Sequence, residues 1–275
     1  MYQEEALKDV LPIQQCYDYI IAVESRREVF NRFVAELNRF FPTANELDAV
    51  SLVLLYIIDG MARQSERAMI KYSPLGRTLT DLVQAISEEY NKDTLCLNNT
   101  TCRKGQEESD KQALETLYKQ LSPELTEKLG IIYTPDPVVH CILHAVETVL
   151  RNEFGTCLSN ENVTIIDPCC GVGVFVSNML QLGLIKEEDL ERKLKNEIFC
   201  NDILLYSSFV SKMNLEEYFY KTTGRYQELN CVACCNALEG SLESTLHEGD
   251  DKRREEEEKK REECKEEKDD NDDDE

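Results

Sequence analysis

One short run carries residues whose types and spacing could do chemistry. Asp167-Pro168-Cys169-Cys170-Gly171-Val172-Gly173 follows the β-branched stretch 162–166 and leads into an apolar segment. Two close glycines let backbone approach a ligand, and a helix that starts there offers free N–H groups, so the run suits a nucleotide-like molecule. Val176 stands where a dinucleotide fingerprint needs its third glycine, which argues against a nicotinamide or flavin. Without any ligand, the same run is a tight strand-to-helix turn. Asp202 closes a second strand-like stretch, where an acid can accept both hydroxyls of a ribose or cap the next helix. Asn236, after a third stretch, could hydrogen-bond an adenine edge or simply turn the chain. Upstream, Tyr133-Thr134-Pro135 precedes an amphipathic segment.

Other chemistry-bearing residues are weaker candidates. His140 and His144 stand four apart on one expected helix, but Cys141 occupies the place where a zinc protease needs its glutamate. Cys231 and Cys234 form a single Cys-x-x-Cys, and Cys96 and Cys102 have the wrong spacing to complete it. Strand cysteines facing a core explain them better, and no metal is expected.

These residues need elements to position them. "KQALETLYKQLSPELTEKLG" reads as a helix ended by Gly130, and "DPVVHCILHAVETVLRNEFG" as a second, with Thr134 or Asp136 as its N-cap and Pro137 in its first turn. "NVTIID", "NEIFCND" and "NCVACCNA" read as strands, separated by helices over "VFVSNMLQLG" and "ILLYSSFVSKMNLEEYFYK". Such alternation predicts a parallel sheet whose carboxyl edge gathers ligands. Residues 1–90 read as a helical region. Val29, Phe30, Phe33, Val34, Leu37, Phe40 and Phe41 form one stripe, and Thr43 or Asn45 caps the next helix. Residues 91–110 read as a linker, 111–240 as the α/β part, and 241–275 as an acidic low-complexity tail.

Apolar residues make up 41% of the 275, enough for a sizeable core. The net charge is −23, and from Glu248 to Glu275 there are 17 acids against 8 bases. No basic stripe marks a duplex-DNA footprint. Ala49–Ile58 is half the length of a bilayer span, and the first residues lack the pattern of a signal peptide. A soluble, cytoplasmic protein with reduced cysteines is the expectation.

The order of motifs resembles the S-adenosylmethionine-binding half of adenine-N6 DNA methyltransferases, and most of all the restriction–modification enzymes that join a helicase and a methylase in one polypeptide (Type ISP-like). The residues carrying the likeness are "ETLYKQL", "GIIYTPDPVV", "DPCCGVGVF", "CNDILL" and "MNLEEYF", spanning about Ala113 to Glu239. The resemblance implies an incomplete Rossmann-like methyltransferase sheet behind a helical region, with S-adenosylmethionine as cofactor. It places Tyr133, Thr134 and Pro135 at the methionine end of the cofactor. Asp167, Pro168, Gly171 and Gly173 form the cofactor loop, Asp202 binds the ribose, and Asn236 faces the adenine. DNA is a partner through the resemblance alone.

Two departures bear on that reading. Val172 replaces a usual Thr, and Val174 a residue that is often polar. The family's Asn/Asp-Pro-Pro-aromatic loop, which holds the flipped base, is not in the sequence: its seven prolines, at 12, 42, 74, 123, 135, 137 and 168, are nowhere adjacent. No catalytic residue is therefore assigned. The chain is expected to bind cofactor without being competent alone, as a truncated methylase. Its first strand would be an apolar edge open to a protein partner that completes the sheet. The alternative is a non-enzymatic interaction module derived from such a fragment.

Overall fold

The computed structural model describes residues 13–58, 67–87 and 134–238. Tyr133, the expected helix over 111–130, the 91–110 linker and the acidic tail lie outside the described residues. Within them the fold is helix-rich with one small parallel sheet.

The described N-terminal residues form five helices: α1 (Ile13–Ile21), α2 (Glu24–Asn38), α3 (Glu46–Ile58), α4 (Ala68–Tyr72) and α5 (Pro74–Ser87). Local chemistry sets their ends. The Asp48 N–H donates to Asn45 Oδ1 at 2.9 Å and the Asn45 N–H to Asp48 Oδ2 at 3.1 Å, a reciprocal cap that starts α3. Ser73 Oγ accepts from the Gly76 N–H at 2.8 Å and starts α5. Of the apolar stripe expected on α2, Phe30, Phe33 and Leu37 are buried, because they recur at helical spacing towards the neighbouring helices.

The second part begins with α6 (Asp136–Phe154). Its N-cap position is Pro135, in extended conformation and without a side-chain cap bond, not Thr134 or Asp136. With Pro137 in the first turn, where a helix has no use for the missing N–H, proline geometry presets the start. Gly155, at φ 63°, ends α6. Buried Glu147 then accepts the Leu158 N–H at 2.9 Å and pins the returning chain beneath the helix.

Three strands follow: β1 (Ile165–Asp167), β2 (Ile198–Asp202) and β3 (Val232–Cys234). They pair in parallel in the order β1-β2-β3, with Ile165 opposite Ile198 and Asp202 opposite Cys234. α7 (Val174–Gln181) and a run of short helical turns over 187–197 join β1 to β2, and α8 (Leu205–Thr223) joins β2 to β3. Among the described residues β1 pairs only with β2, leaving its outer edge open, and Ile166 is 61% exposed.

α8 is the axis of the molecule. Tyr206, Phe209, Val210 and Met213 pack into the core of the N-terminal helices. Leu215 and Phe219 pack into the core shared by α6, α7 and the sheet. α8 is buried on nearly every face, and its buried residues include the small Ser207, Ser208 and Ser211. The N-terminal part is bonded directly to α8 and to β3. The Ala68 N–H at the start of α4 donates to Glu217 at 2.7 Å, and Thr43 Oγ1 donates to the Cys234 carbonyl at 2.9 Å.

Candidate functional site

The carboxyl ends of the three strands meet around Asp167, Asn201 and Cys235. After Asp167 the chain turns through Gly171 (φ 56°) and Gly173 (φ 80°), both left-handed. A side chain at Gly173 would meet Ser211 Oγ at 2.6 Å, so close packing on α8 and backbone sign both require glycine there. Behind the turn, Asn214 Nδ2 donates to the Val172 carbonyl at 3.0 Å. The turn then becomes α7, with Gly173 at its N-cap position.

Asp202 faces the turn from the end of β2. Its Oδ2 accepts the Gly171 N–H at 2.8 Å, and its Oδ1 accepts the Leu204 N–H at 2.9 Å. The acid thus closes the glycine turn and starts the chain into α8. Asp167 lies within electrostatic reach of it. Burial lifts the carboxyl of Asp167 above the ordinary range, and proximity to Asp202 adds to the lift against a hydrogen bond from Cys169. Burial likewise raises Asp202, against hydrogen bonds from backbone N–H groups. Asp167 Oδ2 is buried and has no hydrogen-bond partner.

The remaining sequence candidates fall as follows. Pro168 supplies a carbonyl to the turn, accepting from Asn201 Nδ2 at 3.2 Å. Asn236 Oδ1 accepts the Leu238 N–H at 3.1 Å, the turn role that was open beside the adenine role. Thr134 and Pro135 stand at the head of α6. That helix is held to α7 by His140 Nε2, which lies 2.7 Å from Asn178 Oδ1. His144 is exposed on α6. Among the described residues, no three His, Cys, Asp or Glu side chains gather as a metal would need. Burial pushes the Cys231 thiol up to about 12, which makes it a neutral core group.

Asn201, Ser211 and Asn214 support the turn without having been singled out in the sequence. Their partners are the backbone of Pro168 and Val172 and the space beside Gly173, over thirty residues away, so no local spacing announces them.

No protein-family model matches the chain, and no curated protein does. Solved structures do. The chain is similar to the DrdV–DNA complex seen by cryo-electron microscopy (22% identity, TM-score 0.57), over 86% of this chain and 25% of that one. It is similar to the ATP-dependent Type ISP restriction-modification enzyme LlaBIII bound to DNA (26%, TM-score 0.53), over 85% and 18%. It is also similar to a nuclease-deletion mutant of the Type ISP restriction-modification enzyme LlaGI with a DNA substrate mimic (20%, TM-score 0.53), over 93% and 23%. The chain thus shares the fold of one part of these enzymes and spans a quarter or less of each solved chain.

Proposed function

We propose that the chain is the S-adenosylmethionine-binding part of a DNA adenine-N6 methyltransferase from a restriction–modification system. One observation carries the cofactor reading. Asp167 Oδ2 is a buried acceptor with no partner, beside a second, half-buried carboxylate and a left-handed glycine turn. An orphaned acceptor at a site calls for a donor, and two adjacent half-buried carboxylates call for positive charge. S-adenosylmethionine brings an ammonium and a sulfonium. A nicotinamide dinucleotide brings a pyrophosphate, which the same carboxylates repel.

In this reading Asp167 accepts from the ammonium, and Asp202 from the ribose hydroxyls. Gly171 and Gly173 admit the ligand to the backbone, Pro168 shapes the turn, and Asn236 borders the adenine. Tyr133, Thr134 and Pro135 close the methionine end. When bound, the cofactor supplies an activated methyl group. Similarity to Type ISP enzymes solved with DNA supports DNA as the macromolecular partner and restriction–modification as the setting. The Pro-Pro-aromatic loop that would hold a flipped adenine is not in this sequence, so methyl transfer needs another polypeptide segment.

Isothermal titration with S-adenosylmethionine and with NAD tests the reading. Binding of the first alone, weakened by Asp202→Ala, is expected. Equal or exclusive binding of NAD, or no effect of Asp202→Ala, contradicts it.

A second reading, a non-enzymatic interaction module, is favoured by one observation. Val138, Ile142, Val146 and Val149 form an exposed apolar stripe along α6. Robust methylation of DNA by the purified chain alone would eliminate that reading.

A further inference from the structure

We infer that Asn201 is the positioning residue of the site, stapling the carboxyl ends of all three strands so that the glycine turn and the β3-end turn keep one spacing. The ligand-binding consequence rests on the cofactor reading above; the stapling does not.

Asn201 lies in β2, the central strand, and is 1% exposed. Its Nδ2 donates to the Pro168 carbonyl at 3.2 Å, just after β1, and to the Cys235 carbonyl at 3.0 Å, just after β3. Its Oδ1 accepts the Cys235 N–H at 3.0 Å, and the Cys235 thiol is also 3.0 Å away. Its own carbonyl accepts the Cys170 N–H at 2.8 Å. The amide's orientation follows from these partners, since two carbonyls face one end and an N–H faces the other.

Only a carboxamide of this length does all of this. Two carbonyls need two N–H donors, and one N–H needs an acceptor, from a single buried side chain. A carboxylate keeps the acceptor but sets negative charge against two carbonyl oxygens. Alanine leaves two carbonyls and an N–H without partners. Gly171 and Gly173 lie on one of the stapled turns and Asn236 on the other. One side chain therefore ties the two sides of the proposed nucleoside site together.

The test compares wild type with Asn201→Asp and Asn201→Ala in the full chain, after circular dichroism confirms folding. Amide hydrogen exchange needs no ligand. It should quicken together at 170–173 and 235–238 in both variants, with the middle of α8 unchanged. Isothermal titration at pH 8 should show S-adenosylmethionine bound about tenfold more weakly by Asn201→Asp. The gap should narrow towards pH 5, because a protonated carboxyl regains one donor, a recovery that Asn201→Ala cannot show. Exchange quickening at one turn only, or at neither, overturns the stapling. Unchanged affinity despite quickened exchange overturns the positioning role. A wild type that binds no S-adenosylmethionine overturns the cofactor reading, and the exchange result still decides the staple.

Discussion

Asp167 carries opposing demands. Its buried, unpartnered oxygen costs stability in the ligand-free chain, and the same oxygen is what a cationic ligand would use. Asp167→Asn removes the charge that burial and Asp202 disfavour, and should stabilise the free chain by about 1 kcal/mol, or roughly 2–4 °C in thermal midpoint, while abolishing measurable S-adenosylmethionine binding. Calorimetric unfolding beside titration checks both halves. The pH dependence follows from the same group. Because the folded chain holds the Asp167 and Asp202 protons above the ordinary carboxylate range, their contribution to stability is full below that range. It is lost as pH rises through the folded values. Asp167→Asn should flatten that loss, and midpoints measured across the mildly acidic range would show it. Gly173 makes a second case. Gly173→Ala forces a side chain into φ 80° and against Ser211 Oγ, so it should cost about 1–3 kcal/mol, and circular dichroism melts would report it.

Among the elements, α8 bears the most. Lys212 and Glu216 are both buried on it, 2.5 Å apart. Glu216 also accepts the Leu229 N–H at 2.9 Å and the Tyr226 hydroxyl at 2.7 Å, and Lys212 reaches the Leu229 carbonyl and lies 3.8 Å from the centre of the Phe40 ring. The pair thus binds the segment before β3 to α8 and touches the N-terminal helices. Lys212→Met leaves Glu216, and Glu216→Gln leaves Lys212, as an uncompensated buried charge, so each should cost about 3–5 kcal/mol in urea unfolding. Neither residue could be found from the sequence. Their four-residue spacing looks like an ordinary surface pair, and burial arises only because α8 is packed on both sides. Within the described residues the helices and the alternation of strands with helices were legible, because apolar spacing and β-branched runs are local. The strands are shorter than their β-branched runs: 162–167 yields only Ile165–Asp167, since a strand extends no further than its pairing neighbour. The glycine turn and Asp202 could be read from residue type at strand ends. Asn201 could not, since its role exists only once three strand ends are brought together.

For the whole molecule, charge and apolar exposure pull against each other. Val138, Ile142, Val146 and Val149 are between 42% and 50% exposed, with Phe154 at 71% and Ile166 at 61%. No helix among the described residues is long and apolar enough to cross a membrane, so these side chains do not belong to such a span. A net charge of −23 keeps copies apart at low ionic strength, and salt screens that repulsion. Self-association measured by sedimentation should therefore increase with salt and fall sharply in Ile142→Lys/Val149→Lys. Association that weakens with salt, or ignores the substitutions, would locate the contact elsewhere. The central claim concerns the carboxyl ends of the strands, and amide NMR on the labelled chain reaches it most directly. Titration with S-adenosylmethionine should move the resonances of Gly171, Gly173, Asp202 and Ile203 most. If those four stay still while the ligand saturates, or if no resonance moves at millimolar ligand, the strand ends do not hold this cofactor.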